Sequence, residues 1–357
     1  MRSTGRPRTF RRGLGILILI LAIGAILYSV PTPYMIVTPG VTRDLKEVVT
    51  VEGGHKTARG RFLMVTVSSR PANALLYLYA KLDREATLEP RPKDPKEMQE
   101  EGKRMMTQSQ AIASAVAERS LGLPARVVGT GVKVTEILPG SPAAGKLQTG
   151  DVIIALNGRR VQFRDEFRDQ LSQEPIGAKV KLKVRRGAQE VALDLNTVEH
   201  PTRKDKSALK IGVEDDNVSA WSPVPVKIDA GNIIGPSAGL MFTLEIMNQL
   251  TGEGDLTGGR AVAGTGTILP TGKVGPIGGV TQKVITAENA GAVAFLTPTD
   301  DVEEARAAAK KIEIVPVKGL DDALEYLRRT RPAALADSAL TGRAGNFSVD
   351  YREIIVW

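Results

Sequence analysis

Apolar residues follow four patterns along this chain of 357 residues, and the patterns predict different kinds of structure. Residues 14–30 form one uncharged, mostly apolar run. Residues 34–79 read as short strand-like segments separated by turns. Between residues 240 and 250, apolar side chains recur at a spacing of 3.6, which predicts a helix. Beyond residue 261, predicted strands alternate with predicted helices, and this alternation is typical of an α/β arrangement.

The apolar run follows a basic tail, residues 1–13. This tail contains five arginines: Arg2, Arg6, Arg8, Arg11 and Arg12. With its flanks, the run covers residues 14–33 and is just long enough to span a bilayer. Arginines before such a run place the N-terminus in the cytoplasm and the remainder outside it. We therefore expect a single-pass protein of the cell membrane; a cleaved signal peptide is the alternative.

The motif Gly-Pro-Ser-Ala-Gly at residues 235–239 leads into the helical pattern of residues 240–250. Proline suits the first helical position, so Ser237 is expected in the opening turn. Free backbone N–H groups and the helix dipole favour negative charge there, as a reaction that builds an oxyanion requires. A serine in this position is more often only a helix cap, so position alone leaves both roles open. The neighbours expected to surround the oxyanion are Gly235, Pro236, Ala238 and Gly239.

A second glycine-led helix pattern covers residues 278–287 and contains Lys283. Its neighbours Val280, Val284 and Ala287 are apolar. A lysine held against apolar surface loses hydration, so its neutral amine is favoured and can act as a general base. A serine paired with a lysine is a known form of the nucleophile–base arrangement.

These two motifs together resemble the proteolytic domain of the Lon peptidase family. The resemblance covers Gly-Pro-Ser-Ala-Gly at 235–239 and Gly-Lys-Val-x-Pro-Ile-Gly-Gly at 272–279. It implies that Ser237 is the nucleophile, that Lys283 is its base, and that Thr265 supports the lysine. One departure concerns Ile234, because the family often has an acidic residue there.

Residues 125–198 resemble a PDZ domain over nearly their whole length. The resemblance implies binding of an extended peptide by strand addition, with its C-terminal carboxylate held by backbone N–H groups. The predicted carboxylate cradle consists of Val128, Gly129, Thr130 and Gly131. Phe167 is predicted in the helix that forms the other wall of the groove, although a core role is equally open.

The predicted fold is an α/β (α+β) Lon-type proteolytic domain with an inserted, mostly-β PDZ domain and one N-terminal transmembrane helix. The proteolytic domain is placed at residues 207–330, and the β-rich segment 34–120 is expected to belong to the same fold. The last stretch, residues 331–357, has no assigned role.

Composition excludes several classes of chemistry. There are no cysteines and only two histidines, so a cysteine nucleophile, disulfides and cysteine-based zinc sites are excluded, and no metal or cofactor is expected. The formal net charge is +8, but five of the charges are the N-terminal arginines, and no basic stripe lies elsewhere. Nucleic acid is therefore not an expected partner.

Two hypotheses about function follow. The first is a membrane-anchored serine endopeptidase whose PDZ domain selects unfolded or C-terminally exposed proteins; the Lon resemblance also implies a homo-oligomeric ring. Cleavage is expected without ATP, because the segment 266–274 has five residues between its glycines and a valine in place of the magnesium-binding Ser/Thr. The second is a catalytically inactive PDZ adaptor that regulates another membrane protein.

Overall fold

The computed structural model describes residues 8–56, 59–251 and 255–331, with side chains from residue 15 onward. Residues 1–7 of the predicted basic tail and 332–357 of the predicted C-terminal stretch lie outside the described residues. The chain forms two compact units. Within the described residues, the first unit contains the chain up to Thr107, Lys227–Thr267 and the chain from Val274 to residue 331, and the second contains Gln108–Val226 and Ile268–Lys273.

The described helices are α1 (Arg8–Ser29), α2 (Leu45–Val48), α3 (Ala74–Leu82), α4 (Pro95–Ser120), α5 (Arg164–Ser172), α6 (Gly239–Leu250), α7 (Val280–Asn289), α8 (Val302–Ala308) and α9 (Leu320–Arg329). The strands are β1 (Pro31–Asp44), β2 (Val49–Val51), β3 (Arg61–Asn73), β4 (Thr87–Pro90), β5 (Arg126–Val128), β6 (Gly131–Ile137), β7 (Val152–Leu156), β8 (Arg159–Arg160), β9 (Lys179–Arg186), β10 (Gln189–Asn196), β11 (Val198–Glu199), β12 (Ser207–Ala208), β13 (Ile211–Asp216), β14 (Ser219–Trp221), β15 (Val226–Ile228), β16 (Ala261–Gly264), β17 (Thr267–Ile268), β18 (Val274–Gly275), β19 (Ala294–Pro298) and β20 (Glu313–Val317).

The first unit is built on a mixed sheet of strand order β20-β19-β16-β3-β1-β4. Strand β16 pairs in parallel with β19 on one side and with β3 on the other, so residues 61–64 lie beside residues 261–264. Strands β16 and β19 are almost entirely buried, which is typical of parallel strands covered on both faces. Helix α7 packs over this sheet through Val280, Val284 and Ala287. The N-terminal strands β1 and β3 therefore belong to the same sheet as β16, and helix α7, which carries Lys283, packs over that sheet.

The second unit is a smaller antiparallel sheet of order β10-β9-β7-β6-β13, with helix α5 against it. Strand β9 alternates between exposed and buried positions, as expected for a sheet with one face in water. Its inward side chains, Val180, Leu182 and Val184, join Leu156 and Phe167 in the core of this unit.

The mixed α/β architecture is observed, but the predicted transmembrane helix is wrong. Among the residues that the structure describes, no helix combines the length and apolar character needed to cross a membrane. Helix α1 starts at Arg8 and ends at Ser29. Beyond its last arginine, Arg12, it rises only about 25 Å, less than the roughly 30 Å of a hydrocarbon core. The predicted cell-membrane location rested on this helix, so the structure does not support that prediction either.

Helix α6 contains a fully buried carboxyl group, Glu245, that accepts hydrogen bonds from Gln249 and Asn248. Burial is the main cause that raises the pKa of Glu245 from 4.5 to about 7. A raised carboxyl pKa stabilises the fold fully below pH 4.5, and this stability is lost as the pH rises towards 7.

We expect Glu245→Gln to remove this pH dependence and to narrow the stability difference between pH 5 and pH 8 by up to ~3 kcal/mol. Urea unfolding at both pH values measures the effect. The exposed Glu47→Gln serves as the control. If the difference between wild type and Glu245→Gln were the same at both pH values, Glu245 would not be the titrating group.

Candidate active site

Ser237 lies in a turn just before helix α6, which begins at Gly239 rather than at Pro236 as predicted. The Ser237 carbonyl oxygen accepts a hydrogen bond of 2.8 Å from the Gly266 backbone N–H. In return, the Gly266 carbonyl accepts one of 3.1 Å from the N–H of Leu240. These two bonds fix the Ser237 turn against the chain that leaves strand β16.

Thr265 connects the serine segment to the lysine. Its side chain is buried, with 1% of its surface exposed. The Thr265 hydroxyl donates to the Ser237 carbonyl oxygen at 3.1 Å and accepts from the Lys283 amine, Nζ, at 3.3 Å. The contacts within the described residues include no direct hydrogen bond between the Ser237 hydroxyl and Lys283. Thr265 therefore brings the two predicted catalytic residues to one place.

Lys283 occupies the first turns of helix α7, and only 4% of its surface is exposed. The loss of hydration lowers the pKa of its amine from 10.5 to about 8, and the negative charge of Asp301 partly opposes this shift. An amine with a pKa near 8 is neutral in a sizeable fraction of molecules at neutral pH. When one N–H of that neutral amine is donated to Thr265, its lone pair remains available to accept a proton.

Backbone N–H groups around Ser237 differ in availability. The Gly235 N–H donates to the Gly102 carbonyl at 2.9 Å, and the Gly239 N–H donates to the Pro236 carbonyl at 3.2 Å. Pro236 has no N–H to offer. Within the described part of the chain, the N–H groups of Ser237 and Ala238 form no hydrogen bond, so these two are the donors open to an oxyanion.

Ile234 is a half-exposed apolar side chain beside the serine turn. A Cβ placed on Gly102 of helix α4 would lie only 2.8 Å from the Ile234 Cδ1 atom. Ile234 therefore packs closely against helix α4 at Gly102, and a larger residue at position 102 would force the Ile234 side chain to move.

The residues predicted to hold a peptide in the second unit mostly make contacts within that unit. The Thr130 N–H donates to the Asp216 carbonyl at 3.1 Å, and Gly131 pairs with Asp216 in the sheet. A Cβ on Gly129 would lie 2.3 Å from the Gln162 carbonyl oxygen. Val128 is exposed and pairs with Ser219, whereas Phe167 lies in the core.

Sequence reasoning missed strand β13, which occupies the end of this sheet beside β6 and contacts helix α5. It also missed Asp301, which follows the buried strand β19. The adjacent aspartates Asp300 and Asp301, two residues after the buried strand β19, were a sequence signal for Asp301. Strand β13, by contrast, lies beyond residues 125–198, the segment that resembles a PDZ domain.

Replacing Thr265 tests the bridge between Ser237 and Lys283. Thr265→Val keeps the volume but removes the hydroxyl, so the lysine loses its acceptor and the serine carbonyl loses a donor. We expect kcat for any reaction that uses Ser237 and Lys283 together to fall roughly 10- to 100-fold, while Thr265→Ser retains most activity. Steady-state kinetics measure both variants. Full activity in Thr265→Val would show that the bridge is not needed.

Two protein-family models match parts of this chain. Residues 205–329 match the Lon protease (S16) C-terminal proteolytic domain, and residues 115–197 match the PDZ domain. Two successive parts of the chain are therefore similar to a Lon proteolytic domain and to a PDZ domain.

Two Lon proteases are similar in sequence to part of this chain. The Lon protease of Trichlorobacter lovleyi is 36% identical over 108 residues, which are 29% of this chain and 13% of that protein. The archaeal Lon protease of Archaeoglobus fulgidus is 31% identical over 96 residues, 26% of this chain and 15% of that protein. The chain thus spans less than a fifth of the length of these relatives.

A solved PDZ domain of an SdrC-like protein from Listeria monocytogenes is 25% identical to this chain, with a TM-score of 0.23. The match covers 24% of this chain and 87% of that domain.

Proposed function

We propose that this protein is a serine endopeptidase in which Ser237 is the nucleophile and Lys283 is its general base. The observation that carries the proposal is the Thr265 hydroxyl, which contacts both the Ser237 carbonyl and the buried Lys283 amine. Burial supplies the neutral amine, and the turn before helix α6 supplies unpaired N–H donors. These are the parts that acyl transfer requires.

The proposed reaction proceeds through an acyl-enzyme. The Ser237 oxygen attacks the scissile carbonyl carbon while its proton passes to the Lys283 amine. The N–H groups of Ser237 and Ala238 stabilise the carbonyl oxygen as it gains negative charge. Lys283 then returns the proton to the leaving amine, and the peptide C–N bond breaks. A water molecule, deprotonated by Lys283, hydrolyses the ester and releases Ser237.

The second unit is proposed to bind substrate chains. Strand β13 lies at the end of its sheet and next to helix α5. An end strand has unpaired backbone groups that an extended peptide can use by strand addition. We infer that unfolded or C-terminally exposed proteins bind along β13 rather than at residues 128–131, because Val128 already pairs with β14 and both Thr130 and Gly131 already pair with β13.

Cleavage is proposed to need no ATP. The glycine-rich segment 266–274 forms a hairpin, in which the Leu269 N–H donates to the Lys273 carbonyl at 2.9 Å. The Lys273 side chain is paired with Asp169, and Thr271 hydrogen-bonds to Asp165. A lysine already paired with a carboxylate is poorly placed to bind phosphates, which fits a structural turn rather than a nucleotide loop.

The test uses the full chain and a fluorescently labelled unfolded protein, with and without ATP and magnesium. We expect endoproteolytic products at similar rates in both conditions, and a serine-reactive phosphonate that labels Ser237 by mass spectrometry. Binding of C-terminal peptides with neither cleavage nor labelling would overturn the peptidase and favour the PDZ adaptor. Cleavage that requires ATP would overturn only ATP independence.

A further inference from the structure

The carboxylate of Asp301 contacts the turn that precedes helix α7, the helix that carries Lys283. It ends the 3-10 turn Thr299–Asp301 that follows strand β19. Its carboxylate oxygen Oδ2 accepts a hydrogen bond of 3.0 Å from the backbone N–H of Ile277. Ile277 lies three residues before the first residue of helix α7, so Asp301 holds the turn from which that helix begins.

This turn has little freedom to relax. Gly279, immediately before helix α7, has a positive φ of 68°, a conformation that favours glycine. A Cβ at Gly279 would lie 2.7 Å from the Val67 Cγ1 atom of strand β3. Helix α8 supplies a second contact, since Glu304 accepts hydrogen bonds from the Thr281 backbone at 3.1 Å and from its hydroxyl at 3.0 Å. The carboxylate of Asp301 is therefore part of a close-fitting support for the first turn of α7.

Asp301 also acts on Lys283 through its charge. The charged groups that act on Asp301 are Glu304 and Asp300 from its own segment and Lys283 from helix α7. Burial raises the pKa of Asp301, while Lys283 lowers it. In the other direction, Asp301 is the charge that opposes the effect of burial on the Lys283 pKa. A base that is too weakly basic accepts the serine proton less readily, so an opposing negative charge serves catalysis.

We propose that Asp301 is a positioning residue for Lys283: its carboxylate fixes the turn that starts helix α7 and places a negative charge within electrostatic reach of the buried amine. This inference rests on the proposed function, since it assigns to Asp301 a role in the proton transfer between Ser237 and Lys283. Asp301 acts through the lysine and not on the substrate.

Three variants of the full chain separate the two effects. Asp301→Asn keeps an oxygen that can accept from the Ile277 N–H but removes the charge. Asp301→Ala removes both. Asp300→Asn removes a charge from the adjacent, exposed residue and is the matched control. Thermal unfolding of each variant shows whether the fold is retained.

Two measurements are made on these variants. The first is kcat/KM for a peptide substrate across pH 5.5–9.5. The second is the titration of the Lys283 amine by NMR of ε-carbon-13 lysine, carried out in a Ser237→Ala background and assigned with Lys283→Met. The second measurement does not depend on catalysis, so it can succeed even if the proposed function fails.

We expect Asp301→Asn to move both the rising part of the pH profile and the Lys283 titration to lower pH and to reduce plateau kcat severalfold. Asp301→Ala is expected to show the same shift and a fall in kcat of roughly 10- to 100-fold, because the helix start is also released. Asp300→Asn should leave the Lys283 titration and kcat close to wild type.

An unchanged Lys283 titration in both folded Asp301 variants would overturn the assignment of Asp301, whatever the activity. A titration shifted by Asp301→Asn together with no cleavage by wild type would support the link between Asp301 and Lys283 and overturn the peptidase instead. An equal shift in Asp300→Asn would overturn the specific role of Asp301, because a general surface-charge effect would explain it.

Discussion

Ser237→Ala and Lys283→Met are each expected to lower the rate of peptide cleavage by roughly 10³-fold or more, because nucleophile and base act as one unit. Alanine at 237 removes the attacking oxygen. Methionine at 283 keeps an unbranched apolar stem in the buried site but removes the amine that Thr265 contacts. The double variant should be no slower than either single variant, as expected for residues that act in the same step. Product formation from a labelled unfolded protein measures the effect.

Two exposed residues provide matched controls for these substitutions. Ser219→Ala changes a serine on strand β14, and Lys273→Met changes a lysine in the 266–274 hairpin. Both should cleave within a few-fold of wild type, and all variants should keep the wild-type circular dichroism spectrum. Retained cleavage in folded Ser237→Ala would remove Ser237 from the mechanism, and retained cleavage in Lys283→Met alone would require a different base.

The pH dependence of cleavage is expected to follow the protonation of Lys283. The base must be neutral, and burial lowers the pKa of the Lys283 amine to about 8. Below that value the neutral fraction falls about tenfold per pH unit, so only about one amine in a hundred is neutral at pH 6. We therefore expect kcat/KM to rise about 50-fold from pH 6 to pH 8 and to level off about 100-fold above its pH 6 value as the pH passes about 9.

The measurement uses an uncharged peptide substrate, so that the profile reports groups of the enzyme. Enzyme samples returned from pH 6 to pH 8 before assay show whether any loss at low pH is reversible titration or unfolding. A rate that is highest at pH 6 and falls towards pH 8 would show that neutral Lys283 is not the base.

The residues proposed for chemistry could be recognised from local sequence. Ser237 stands in a small-residue turn before an apolar helix, and Lys283 has apolar neighbours on a second helix. Both signals arise from short-range rules: small residues leave space and free N–H groups at a helix start, and helical spacing decides which neighbours surround a side chain. The role of Thr265, in contrast, came from resemblance to a family rather than from its own neighbours.

Other features depended on contacts that sequence spacing does not express. Strand β13 pairs with β6 across more than seventy residues of chain, so the end of that sheet could not be located from residues 125–198 alone. The apolar character of residues 14–30 was also not enough to establish a transmembrane helix, since a membrane span needs both apolar residues and sufficient helical length.

The sequence by itself determined the two glycine-led helices, the residue types available for a serine–lysine reaction and the exclusion of cysteine chemistry, because these follow from composition and local periodicity. The tertiary structure decided what surrounds the lysine. Thr265 comes from the end of strand β16, Asp301 from the end of β19 and Lys283 from helix α7. Strands that are parallel neighbours in a sheet end at the same edge, so residues far apart in the chain meet there. Burial at that edge, rather than residue type, is what lowers the pKa of Lys283 and makes it a candidate base.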